Sequence, residues 1–90
     1  MVRWDPKDPD EVLDYDIDWS TRLATGDEIA TSTWTVPSGL TKGSDYVNGT
    51  KSVVWLSGGT LGETYPCLCR ITTVDGRTHD QTARLGIRSK

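Results

Sequence analysis

Phenylalanine is absent from this chain, and methionine and histidine occur once each. The four tryptophans, Trp4, Trp19, Trp34 and Trp55, must therefore supply most of the bulky core material. No apolar run approaches the roughly 20 residues of a membrane-spanning helix, so no membrane partner is expected. No stretch carries a convincing helical period, which excludes an α-helical bundle. Cysteine is limited to Cys67 and Cys69, with no CxxC and no second pair, so neither a zinc site nor a redox motif is supported. On a strand these two thiols share a face with poor geometry for a mutual disulfide, and they read as reduced, buried side chains of a cytosolic assembly. The opening Met1-Val2-Arg3-Trp4-Asp5-Pro6 has no apolar segment, so no secretory leader is expected. The initiating Met points to a complete gene product.

Ninety residues make one domain with a modest core and no deep substrate cavity. Leu13-Asp14-Tyr15-Asp16-Ile17-Asp18-Trp19 alternates strictly, apolar side chains on one face and carboxylates on the other, which is the strongest strand signal in the chain. A second strand over 28–36 places Ala30, Ser32, Trp34 and Val36 together, and Pro37-Ser38-Gly39 ends it. A short strand near Asp45-Tyr46-Val47 turns through Asn48-Gly49, a type I′ signal, into a strand running to Leu56. Gly58-Gly59 stops that strand. Residues 63–74 and 77–87 form a last hairpin around a two-residue Asp75-Gly76 turn.

Six strands at this spacing, or seven with a further short one, predict an all-β fold: a small antiparallel β-sandwich of immunoglobulin-like or fibronectin-III-like type. Tyr65 after the Gly-rich segment, two residues before Cys67, sits where a tyrosine corner would, its hydroxyl bonding back into the preceding loop. Trp34 lies near the place of the first immunoglobulin cysteine, so packing would replace the inter-sheet bridge. Residues 1–12 read as an extended N-terminal arm and 13–90 as the sandwich, because Pro6 and Pro9 in an acidic setting disfavour regular structure.

No candidate active site emerges. Asp14-x-Asp16-x-Asp18 resembles the opening of a calcium loop, but Trp19 and Thr25 stand where an EF-hand needs Gly and Glu; the wet face of a strand explains the carboxylates. His79 and Asp80 are neighbours on a strand and face opposite ways, so they form no catalytic dyad. Gly58-Gly59 lacks the lysine and helix of a phosphate loop, and Asn48-Gly49-Thr50 reads as a turn rather than a glycosylation site. No enzyme, cofactor or metal is expected.

Contacts with proteins are the better reading. The first twenty residues carry seven carboxylates against two cations, and residues 64–90 carry five cations against two carboxylates. An acidic front and a basic tail can attract copies head to tail, or can be two solvated faces. The basic end is too thin for nucleic acid. Trp4 either folds back as a lid over one end of the sandwich or anchors the arm on a neighbour. The candidate interface residues are therefore Trp4, Asp5, Pro6 and Pro9 on the arm, with Arg77, Arg84 and Arg88 on the basic tail.

Several stretches taken together carry a resemblance. Residues 8–19 run through Asp14-Tyr15-Asp16-Ile17-Asp18-Trp19 into Gly26-Asp27-Glu28-Ile29-Ala30-Thr31-Ser32-Thr33-Trp34-Thr35-Val36. Val54-Trp55-Leu56-Ser57-Gly58-Gly59-Thr60, Arg70-Ile71-Thr72-Thr73 and Asp75-Gly76-Arg77-Thr78 follow. From about residue 8 to residue 87 the chain resembles the small fiber-tail adaptor proteins of tailed bacteriophages. The resemblance implies a non-enzymatic virion protein of the neck or tail, made in the host bacterial cytoplasm. It implies contacts with the tail tube or head-tail connector, with fibers, and with copies of itself in a symmetric ring. Trp19, Trp34, Trp55, Gly58 and Gly59 then serve as core and turn residues. The competing reading is a free-standing immunoglobulin-like binding module, for instance for carbohydrate, which would need an exposed aromatic platform where Tyr15, Trp19 and Trp34 are expected to point inward.

Overall fold

The computed structural model describes residues 2–90, which form seven strands and no helix. These are β1 (Val2–Arg3), β2 (Leu13–Asp18), β3 (Ile29–Thr35), β4 (Leu40–Asn48), β5 (Lys51–Gly58), β6 (Thr64–Thr73) and β7 (Thr78–Gly86). They make a four-stranded sheet in the order β1-β7-β6-β3 and a three-stranded sheet in the order β2-β5-β4. The two pack as a small all-β sandwich. Every pairing is antiparallel except that of β1, which lies parallel to β7 with Val2 opposite Ala83 and Arg3 opposite Arg84.

Strand β2 shows most directly how the sequence builds this fold. Its carboxylates Asp14, Asp16 and Asp18 face water, Leu13 and Tyr15 are half-buried, and Ile17 and the following Trp19 are buried. From β6, the inward positions Tyr65, Cys67, Cys69 and Ile71 meet this face together with Val54 and Leu56 of β5 and Ala83 and Leu85 of β7. Trp34 of β3 and Trp4 complete the core.

Four expectations from local pattern are corrected. A bulge between Ile29 and Thr31 reverses the start of β3, so Ile29 packs on the core and Ala30 is exposed, not inward. At the first hairpin Asn48 pairs with Lys51, which makes Gly49 and Thr50 the turn residues. Gly49 has a φ of +61° and no non-glycine residue has a positive φ, the pattern of a type II′ turn rather than type I′. In the second hairpin the Thr73 N–H donates to the Arg77 carbonyl at 2.8 Å, so the loop holds three residues, Val74-Asp75-Gly76, and not two. Finally, Trp55 is not a core residue. Val54 and Leu56 take the inward places on β5, and Trp55 points outward with 37% of its surface exposed.

The arm boundary at residue 12 also does not mark where the sheet begins. Strand β1 belongs to the four-stranded sheet, and Lys7 makes a parallel bridge with Ile87. Proline interrupts this segment without preventing short pairings on either side of it.

Candidate interaction surfaces

Trp4 settles the fate of the arm. Its ring stacks on Tyr15 with centroids 4.8 Å apart and lies 5.7 Å from the ring of Trp34. Its indole N–H donates to the Asp16 carbonyl at 2.9 Å, on the edge of β2 away from β5. Trp4 therefore folds back into its own domain, with only 9% of its surface exposed. Burial is the main reason the Tyr15 hydroxyl is pushed up to about 12, helped by the carboxylates of Glu11, Asp5 and Asp14.

Lys7, which carried no signal in the sequence, is the other fastener. It is fully buried. Its ammonium donates to the carbonyls of Asp8 at 2.7 Å and Glu11 at 2.9 Å, while its backbone N–H reaches the Gly86 carbonyl. Burial lowers its pKa below the usual lysine value, and the carboxylates of Glu11, Asp8 and Asp10 oppose that shift. A lysine is nearly always a surface residue, so only the tertiary placement of two converging carbonyls reveals this role.

The basic tail divides in two. Arg77 donates to buried Asp27 at 3.2 Å and to Asp75 at 3.4 Å, and Arg70 holds Asp80 through two bonds of 2.8 and 2.9 Å. The Lys90 ammonium pairs with Glu11 at 2.9 Å. These cations are spent within the domain. Arg84 and Arg88 lie on the outer face at the other end of β7, and the parallel register brings Arg3 beside Arg84. Arg3, Arg84 and Arg88 line one shallow depression with Trp4, Pro6, Thr64 and Gly86. Thus Arg77 does not join Arg84 and Arg88, whereas Arg3 does. Asp5 and Pro6 are exposed beside this depression, and Pro9 is half-buried.

The opposite face of the sandwich has a different chemistry. On the outer side of the three-stranded sheet, Asp14 is paired across from Trp55, and Val53 lies between Asp16 and Tyr46. Tyr46 is 48% exposed, while Val53 is buried. This face thus exposes Trp55 and Tyr46 beside the Asp14-Asp16-Asp18 row, with Lys51 opposite Asp18. Tyr46 was legible only as part of a short strand, because the bulge between Lys42 and Asp45 breaks the alternation of β4.

Inside the sandwich, several polar groups pair with one another, while the Trp34 indole N–H and His79 Nε2 are buried without a hydrogen-bond partner among the described residues. The Trp19 indole N–H donates to the Ser52 hydroxyl at 3.2 Å, and the Ser32 hydroxyl donates to the same oxygen at 2.9 Å. Tyr65 sits at the head of β6, where its hydroxyl accepts the Thr60 N–H at 2.9 Å, a bond back into the Gly-rich loop. Cys67 and Cys69 are buried and free, and burial pushes the Cys67 thiol up to about 11 and raises that of Cys69. Such thiols are poor nucleophiles at neutral pH. The His79 ring lies 6.3 Å from that of Trp19, while Asp80 turns away to Arg70. Among the described residues, no three His, Cys, Asp or Glu side chains are grouped to hold a metal.

Several carboxylates are held below their ordinary range. Backbone N–H groups of Asp10 and Lys90 do this for Asp8, the Asp8 N–H and the Lys90 side chain for Glu11, and the Arg70 guanidinium for Asp80. For Asp27 burial is the largest influence and pushes the value up, but hydrogen bonds from Thr73, Asp75, Glu28 and Arg77 together outweigh it. A folded pKa below the unfolded value means that the unfolded state binds more protons. The stability these groups contribute is complete above the unfolded carboxylate range near pH 4 and is lost as pH falls through the lowered values. Thermal melts are expected to show a steady Tm down to about pH 5 and a marked fall by about pH 3. An unchanged Tm at the acid end would contradict the bonding described.

Residues 7–86 of the chain match the family model described as podophage GP4 fiber-tail adaptor protein gp77. No curated protein matches the chain.

Proposed function

Because the chain belongs to the podophage GP4 fiber-tail adaptor protein family, we propose that it is a non-enzymatic virion component that joins tail and fiber proteins through surface contacts. The observation that carries this reading is the family match, which spans nearly the whole sandwich. The structure supports it in kind: both outer sheet faces carry exposed charged or aromatic side chains suited to protein contacts. Tail tube or connector, fibers and further copies of the chain are the partners we assign to those faces, and a ring of copies is the arrangement we expect.

The strand grouping supports reading the domain as immunoglobulin-like, with β2, β5 and β4 in the places of strands B, E and D and β3, β6 and β7 in those of C, F and G. On that reading Trp34 occupies the place of the buried tryptophan of strand C, not that of the first cysteine, because β1 shifts the count by one.

Purified particles of a phage that encodes the chain provide the test. Mass spectrometry is expected to detect the protein in virions, and imaging to locate it where fibers meet the tail. Virions that lack the protein would overturn the reading. The alternative, a carbohydrate-binding module, draws on the exposed pair Trp55 and Tyr46. Saturable binding to one defined glycan would favour it.

A further inference from the structure

Some of the charge in the sequence is paired within the domain, and the rest is left on its surface. On the basic side Arg70, Arg77 and Lys90 are paired internally, whereas the Arg3 and Arg88 side chains have no hydrogen bond or ion pair among the described residues. On the acidic side Asp8, Asp27 and Asp80 are engaged, and Asp18 accepts from the Ser20 N–H and the Thr50 hydroxyl. The Asp14 and Asp16 carboxylates have no such bond. The unpaired Arg3 and Arg88 therefore lie on the outer side of the four-stranded sheet, and the unpaired Asp14 and Asp16 on the outer side of the three-stranded sheet, where Lys51 stands further along, opposite Asp18.

We propose that the edge of one copy that carries Arg3 and Arg88 docks on the Asp14–Asp16–Trp55–Tyr46 face of a second copy. The inference deepens the adaptor reading and rests on it for the expectation of several copies side by side. Asp14 stands directly across from Trp55, so one guanidinium can bond the carboxylate and lie over the indole. Tyr46 extends the apolar centre, and the carboxylates form a polar rim, the usual anatomy of a protein contact. Because the two patches lie on opposite faces, the contact is head to tail rather than two-fold. Repetition of a head-to-tail contact closes a ring when the rotation per step allows it.

Charge reversal with the purified full chain tests this. At about 20 mM salt the wild type is expected to form larger species with rising concentration in sedimentation velocity, and to dissociate at about 0.5 M salt, where the Debye length is a few ångströms. Asp14→Arg/Asp16→Arg and Arg3→Glu/Arg88→Glu are each expected to weaken association at least about tenfold, and so is Trp55→Ala. An equimolar mixture of the two reversed variants restores association, since each altered face then meets its opposite. If a reversed variant fails to fold, the near-isosteric Asp14→Asn/Asp16→Asn carries the test. A wild type that stays monomeric at low salt, variants that associate as well as the wild type, or a mixture that stays dissociated would each overturn the proposal. These outcomes are separate from whether the protein is found in virions, which tests the adaptor reading itself.

Discussion

Replacement of Trp19 by alanine is expected to lower stability by roughly 3–5 kcal/mol, the range for truncating a buried large aromatic. No part of Trp19 reaches solvent, and Arg22 covers the ring with its guanidinium carbon 5.0 Å from the centroid. The loss has two parts: the transfer of the indole, and a cavity that the rigid sheets cannot collapse to fill. The indole N–H also serves the Ser52 hydroxyl, so the buried Trp19–Ser52–Ser32 chain loses a member. Trp55→Ala is the control, because that side chain is on the outer sheet face. It should cost about 1 kcal/mol or less in the isolated chain, as surface positions do. Urea unfolding at equal m-values measures both. Equal losses at the two tryptophans would contradict the orientation of β5.

Gly59→Ala is expected to be the second large effect, about 3 kcal/mol or more, which at this chain length lowers Tm by more than about 10 °C. A Cβ at this position would stand 2.7 Å from both Cγ1 and Cδ1 of Ile87, and the backbone φ of +97° is strained for any side chain. Ile87 cannot move aside cheaply. It is buried, its backbone N–H bonds to the Glu63 carbonyl and its carbonyl accepts from Gly62, and Lys7 bridges to it. Gly26→Ala separates backbone strain from crowding, because its φ is +82° but nothing lies within 4 Å of the added carbon. Differential scanning calorimetry of the two variants should show the smaller shift at Gly26. A Gly59→Ala melt no worse than that of Gly26→Ala would remove the crowding argument.

The parts of the fold legible in the sequence are those governed by local periodicity. β2 was readable because aspartates alternate with Leu13, Tyr15 and Ile17, and a one-residue slip would bury the carboxylates. The glycines at the hairpins marked the turns, but their loop lengths depended on cross-strand hydrogen bonds that no dipeptide encodes. In β5 the run Val53-Val54-Trp55-Leu56 is apolar at every position, so either parity was open, and pairing with β2 chose the one that turns Trp55 outward. The arm misled for a related reason. Pro6 and Pro9 exclude a long strand but not a two-residue one, and Trp4 found a site between Tyr15 and Trp34.

By itself, then, the sequence determined an all-β chain with no catalytic or metal motif, a buried pair of thiols and an excess of acid at the front and base at the tail. Each of these follows from residue chemistry and period-two spacing. Only the tertiary structure decided which charges are paired, because pairing depends on residues far apart in the chain: Glu11 with Lys90, Arg77 on Asp27. Two sheets packed back to back then put Asp14 and Asp16 on one outer face and Arg3 and Arg88 on the other. Sheet packing sorts side chains by face, and sequence position does not.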